Sequence, residues 1–140
     1  MLVSTFISVL VVAGIFYSVF SWQKYQQALA KMMAIDSRIT LEEDNKHNLE
    51  IINRDGSPRL HFRVTFKDTP VGKPLSLGCD WINPQGEIIH QNRYQTRTVE
   101  KEIWHSRCRY RIGNSSIPGT WKVEIFSGDR LLREQTFQVE

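Results

Sequence analysis

Four residues at alternate positions, His105, Arg107, Arg109 and Arg111, are the densest concentration of chemistry in this 140-residue chain. On a β-strand, successive side chains point to opposite faces, so all four would project from one side as a basic stripe about 20 Å long. Trp104, Cys108 and Tyr110 would face the other way. Like charges two residues apart repel, and a folded domain tolerates them best beside acidic neighbours or an acidic partner. Two readings follow. The face is solvated, its arginines paired with Glu100, Glu102, Glu124 or Asp80 and discouraging edge aggregation. Alternatively it docks an acidic protein loop, an anionic glycan or lipid head groups, with Arg93 and Arg97 extending it.

Cys79 and Cys108 are the only cysteines. Alternation turns both toward an apolar face, where they are read either as a bridge between two sheets or as inert buried thiols. Closing a loop of about 30 residues would contribute roughly 3 to 4 kcal/mol on the chain-entropy model, in an oxidising compartment. There is no Cys-x-x-Cys, and His47, His61, His90 and His105 fall on linker or outward strand positions at no metal-site spacing. No Gly-x-Ser-x-Gly turn, Gly-rich loop before a helix or carboxylate pair supplies a catalytic group. The expectation is a non-enzymatic protein without cofactor or metal. Asp80, beside Trp81, is expected to point outward and pair across strands with an arginine.

These residues need a scaffold and a location. The first twenty residues carry no charge, and an α-helix of roughly 20 such residues crosses a hydrocarbon layer of about 30 Å. Phe16, Tyr17, Phe20, Trp22 and Tyr25 crowd the end of this run, as amphipathic rings do at the head-group level, placing the membrane interface at Trp22 and Tyr25. Ala28-Leu29-Ala30 has the form of a signal-peptidase site. The missing basic N-terminal segment, the length of the run and the ten residues from Phe20 to Ala30 favour an uncleaved signal-anchor. Lys24, Lys31 and Arg38 after the span argue for a cytoplasmic domain, whereas the cysteines suit the non-cytoplasmic side, which is the side favoured. The net charge of +3 gives no case for nucleic acid.

Trp22, Tyr25, Ala28/Leu29, Met32 and Ile35 recur at helical steps, which predicts an amphipathic helical stalk continuing the span. Thr40-x-x-Glu43 resembles a capping box, and is equally readable as part of an acidic linker. Beyond residue 48 the period becomes 2. Leu60, Phe62, Val64 and Phe66 alternate with polar residues, and Leu75, Leu77, Cys79 and Trp81 line the next strand. Asn83-Pro84-Gln85-Gly86 is a turn. Strands are expected near 87–92, 94–99, 103–112, 120–126 and 131–139, the last two joined by Ser127-Gly128-Asp129-Arg130. About seven short strands without helical patterns between them predict an antiparallel, immunoglobulin-like β-sandwich, with a small barrel as runner-up.

The segment Pro118-Gly119-Thr120-Trp121-Lys122-Val123-Glu124-Ile125, with Gly128 and Thr136-Phe137-Gln138-Val139, resembles the closing hairpin of uncharacterised bacterial membrane-anchored proteins with a C-terminal sandwich, cyanobacterial ones among them. Cys79-Asp80-Trp81-Ile82-Asn83-Pro84-Gln85-Gly86 and His90-Gln91-Asn92-Arg93-Tyr94-Gln95-Thr96 carry the same likeness. It implies fold and not activity. The immunoglobulin signature sets a Tyr before the second Cys, and here Tyr110 follows it. The expected organisation is an anchor over 1–21, a stalk and linker over 22–47, and a sandwich over 48–140. In a plasma or internal bacterial membrane, such a chain would present the sandwich to a membrane-protein or envelope partner of acidic character, or bind an anionic ligand, lipid head group or envelope polymer through the basic strand.

Overall fold

A computed structural model describes residues 2–140, with side chains from residue 7 onward. The uncharged N-terminal run forms α1 (Leu2–Lys31), and nothing in the rest of the chain covers its apolar side chains between residues 7 and 20. Among the described residues it is the one helix long and apolar enough to cross a membrane.

The helix ends four residues short of the expected stalk. Met32 donates its N–H to the Leu29 carbonyl at 3.2 Å and is itself fully buried, so the chain turns into the sandwich there. Met33–Leu41, expected as helix and linker, is strand β1. Its Ile39 faces the core while Arg38 and Thr40 face out, a period of 2 that a bulge between Ala34 and Asp36 interrupts. Thr40 caps no helix: it is a buried strand residue whose hydroxyl accepts a hydrogen bond from Arg63 Nε at 3.0 Å.

Seven strands follow: β2 (Ile51–Ile52), β3 (Arg59–Lys67), β4 (Ser76–Ile82), β5 (Ile88–Gln95), β6 (Trp104–Arg111), β7 (Gly119–Ser127) and β8 (Arg130–Val139). One sheet has the order β1-β3-β6 and the other β2-β8-β7-β4-β5, antiparallel except where β2 runs parallel to β8. Strands expected at 87–92 and 94–99 are a single strand, β5, because Arg93 pairs with Gly78 without breaking the ladder. Val99 instead lies fully buried in the following loop, its N–H bonded to the Lys73 carbonyl. In the turn after β4, Asn83 Oδ1 accepts the N–H groups of Gln85 and Glu87, and Gly86 takes the φ of +81° that the turn requires.

The inner faces meet as alternation requires, with Leu60, Phe62, Val64 and Phe66 of β3 fully or almost fully buried against Trp81, Trp121, Val123 and Ile125. Tyr110 lies 5.4 Å from Trp81 and 6.0 Å from Trp121 between ring centroids, and Trp121 continues the stack to Phe137. These large rings supply much of the apolar area removed from water, at about 25 cal/mol per Å². The helix is docked on one end of this sandwich. Tyr25 Oη donates to the Pro74 carbonyl at 3.4 Å, and Arg130 Nη1 donates to the Leu29 carbonyl at 2.8 Å.

Candidate functional site

The basic residues gather on the outer face of the three-stranded sheet. Strand β6 pairs with β3 so that Arg107 lies opposite Arg63, Arg109 opposite His61, Arg111 opposite Arg59 and His105 opposite Thr65. Strand β1 adds Arg38 opposite Arg63. Outward alternation on three neighbouring strands therefore makes a sheet-wide basic face from what is, along β6 alone, a single stripe.

Some of these cations are neutralised locally. Arg38 binds Asp36 at 2.7 Å and Arg59 lies 3.6 Å from Glu42, whereas Arg111 keeps its charge and donates to the neutral Ser57 carbonyl at 2.8 Å. Arg63 bonds only to neutral groups, the Thr40 hydroxyl and His61 Nδ1. Among the described residues, Arg63, Arg107 and Arg109 make no ion pair. Two of the four partners expected for this row are engaged elsewhere: Asp80 binds Arg93, and Glu124 binds Lys122. Burial, reinforced by Arg107 and Arg38, holds the Arg63 pKa below its usual value.

Arg93, expected to extend the stripe, belongs to the other sheet. It lies across Gly78, with Nη2 2.7 Å from Asp80 Oδ1, so the outward Asp80 is nearly buried beneath it. Arg97 does approach the basic face: its guanidinium sits 5.4 Å from the Trp104 ring, and it shares an open groove of about 800 Å³ with Arg38, Arg63, His105 and Arg107. Tyr94 and Trp104 give this groove an aromatic wall, and Asp36 is its one carboxylate.

The histidines serve different ends. His105 Nδ1 lies 2.9 Å from the Thr65 hydroxyl, His47 Nδ1 2.8 Å from Asp44, and the His90 ring stacks on Tyr110. His61, expected on the surface, is almost wholly buried among the arginines. Its Nδ1 takes a hydrogen bond from Arg63, which places the remaining proton on Nε2, an atom with no partner among the described residues. Burial first, then the charges of Arg63 and Arg107, push its pKa below the usual histidine value. Among the described residues no three His, Cys, Asp or Glu side chains cluster as metal ligands.

A disulfide joins Cys79 of β4 to Cys108 of β6, with Cα atoms 6.4 Å apart, and so ties the two sheets directly behind the basic row. Trp81 Nε1 donates to Asn92 Oδ1, and Asn92 Nδ2 donates to the Arg109 carbonyl, which steadies β6 from the β5 side.

No protein-family model matches the chain, and no curated protein matches its sequence. Solved structures do resemble it. An immunoglobulin-like protein from Pseudomonas aeruginosa aligns with a TM-score of 0.55 at 17% identity, over 79% of this chain and 97% of that one. The alkylpurine DNA glycosylase AlkC of Pseudomonas fluorescens, solved bound to DNA, aligns at 0.51 and 14% identity over 79% of this chain and 30% of its own length. Identities this low carry the fold alone. The fold is thus an immunoglobulin-like β-sandwich, preceded by one apolar helix.

Proposed function

We propose that this protein is a single-pass, membrane-anchored, non-enzymatic interaction module that holds its sandwich on the non-cytoplasmic side and docks an acidic partner protein of a larger membrane or envelope complex. The observation that carries this reading is the outer face of β1, β3 and β6, where, among the described residues, Arg63, Arg107 and Arg109 stand without carboxylate partners. A folded domain bears that repulsion at some cost in stability, and an acidic partner would remove it. The Cys79–Cys108 bridge suits an oxidising compartment.

The test is co-purification of the full chain after mild detergent extraction, compared with Arg107→Glu/Arg109→Glu. Loss of partner proteins with the disulfide and the unfolding transition intact is the expected result. Undiminished recovery would sink the docking role. A reporter fused after Glu140 reads the side of the membrane independently, and a cytoplasmic signal would overturn the compartment.

The groove beside Trp104 favours a second reading, a diffusible anionic ligand or envelope polymer held by Arg38, Arg63, Arg97 and Arg107. Strand β6 starts at the helix end of the sandwich and runs away from it, so lipid head groups of the anchoring membrane would meet only its first residues. This reading predicts salt-sensitive binding of a polyanion by the purified full chain with no second protein present.

A further inference from the structure

We propose that the loop 69–74 seats in the head-group layer of the membrane that α1 crosses, with Val71 as its apolar tip. The sandwich is then held against the bilayer at a second point. The proposal rests on the reading of α1 as a spanning helix.

Position along the helix is the first observation. Tyr25 contacts this loop twice, through its hydroxyl to the Pro74 carbonyl and through its ring, 4.6 Å from Lys73 Nζ. Tyr25 lies three residues beyond Trp22, about 4.5 Å along a helix that rises 1.5 Å per residue. The polar layer of each leaflet is about 5 to 8 Å deep, so a loop level with Tyr25 lies inside it once Trp22 marks the edge of the hydrocarbon.

The second observation is that the loop is built to hold Val71 out. Thr69 N–H bonds to the Glu102 carbonyl at 3.0 Å, Gly72 N–H to the Val99 carbonyl at 2.9 Å, and Val99 N–H to the Lys73 carbonyl at 3.2 Å. Gly72 takes a φ of +101° that a side chain would resist. Between these ties Val71 is 55% exposed.

The third is the company it keeps. Of the large apolar residues strongly exposed outside the helix, Met33, Ile35, Ile103 and Leu131 join Val71 at the end of the sandwich where the helix enters, and Ile51, Ile88 and Ile89 lie away from it. Scattered apolar residues on a surface need no explanation, but a set gathered beside a spanning helix does. Apolar tips flanked by lysine fit the boundary between head groups and acyl chains, where Lys73 can reach phosphate.

The disulfide leaves no free cysteine, so an introduced one is the sole thiol. Nitroxide labels on Val71→Cys, Leu10→Cys and Ile88→Cys are compared in the full chain, reconstituted in phosphatidylcholine/phosphatidylglycerol nanodiscs, by collision with oxygen and with a water-soluble nickel chelate. Ile88 lies at the far end of the sandwich and reports open solvent. The Val71 label is expected to collide with the chelate at least about threefold less than the Ile88 label, as burial at the interface requires. Equal collision at Val71 and Ile88 with a shielded Leu10 label would overturn the loop contact and leave the spanning helix standing. A Leu10 label open to the chelate would overturn both.

Discussion

Arg107 stands directly across the β3–β6 ladder from Arg63, and among the described residues neither has an ion-pair partner. Cross-strand neighbours of like charge destabilise a sheet, and opposite charges contribute about 0.2 to 1 kcal/mol. Arg107→Glu should therefore make the isolated protein more stable by about 0.5 kcal/mol while weakening its hold on an acidic partner. Chemical denaturation and partner recovery, measured on the same preparation, check both halves. A variant that lost stability would mean that Arg63 and Arg107 are not in repulsive contact.

The Cys79–Cys108 bridge joins the sheets across 29 residues of sequence. On the chain-entropy model, its removal as Cys79→Ala/Cys108→Ala should cost about 3 to 4 kcal/mol. Denaturation of the full chain with and without reductant reads the same quantity. A loss well below 1 kcal/mol in both would show that the core, and not the crosslink, holds the sheets in register.

What the sequence made legible follows from how cleanly each segment alternates. Leu60 to Phe66 alternate without a break, so β3 lies where that pattern puts it, and β6 and β7 fall within two residues of their expected bounds. Strand β1 stayed hidden because Met32 and Ile35 also fit helical spacing and the bulge near Asp36 shifts its alternation. The basic row was readable along β6, since neighbours at i and i+2 need no knowledge of the fold. Its extension to Arg38 and Arg63, and the removal of Arg93 to the other sheet, depend on strand order, which one sequence read alone does not encode. The burial of His61 depends on the same order in part: its outward position is correct, Arg63 of its own strand bonds to it, and Thr40 of β1 and Arg109 of β6 flank it in the sheet.

His61 makes stability depend on pH. Its folded pKa is depressed, first by burial and then by Arg63 and Arg107, below the value of about 6.5 that an unfolded histidine shows. Above that pH both states are neutral and the group contributes no slope. Below it the unfolded chain takes up a proton that the folded one resists, so stability falls as pH drops from about 6.5 toward the folded pKa. In two-state unfolding of the full chain at pH 7.5 and 5.5, His61→Gln should show a smaller loss between the two values than the native protein. An unchanged difference would mean that other groups account for the acid sensitivity.

Gly78 has no side chain, and Arg93 occupies the space. A Cβ there would stand 2.6 Å from Arg93 Nη1 and 2.9 Å from its Cδ, so Gly78→Ala must lift the guanidinium off the sheet. Lifting it breaks the bond to Asp80 and the weaker one to the Cys79 carbonyl, leaving a nearly buried carboxylate with Gln91 as its remaining partner. Losing one charged partner of this kind costs about 1 to 2 kcal/mol, against a gain of about 0.4 to 1 kcal/mol from replacing glycine in the unfolded chain. A net loss of about 1 kcal/mol is expected. In an Arg93→Ala background there is nothing left to displace, and the same substitution should become neutral or stabilising; that change of sign is the readout of a double-mutant cycle. Neither Gly78→Ala nor Arg93→Ala should alter binding to an acidic partner, because this pair lies on the opposite sheet from Arg63 and Arg107. A partner lost with Arg93 would move the docking surface to the five-stranded sheet.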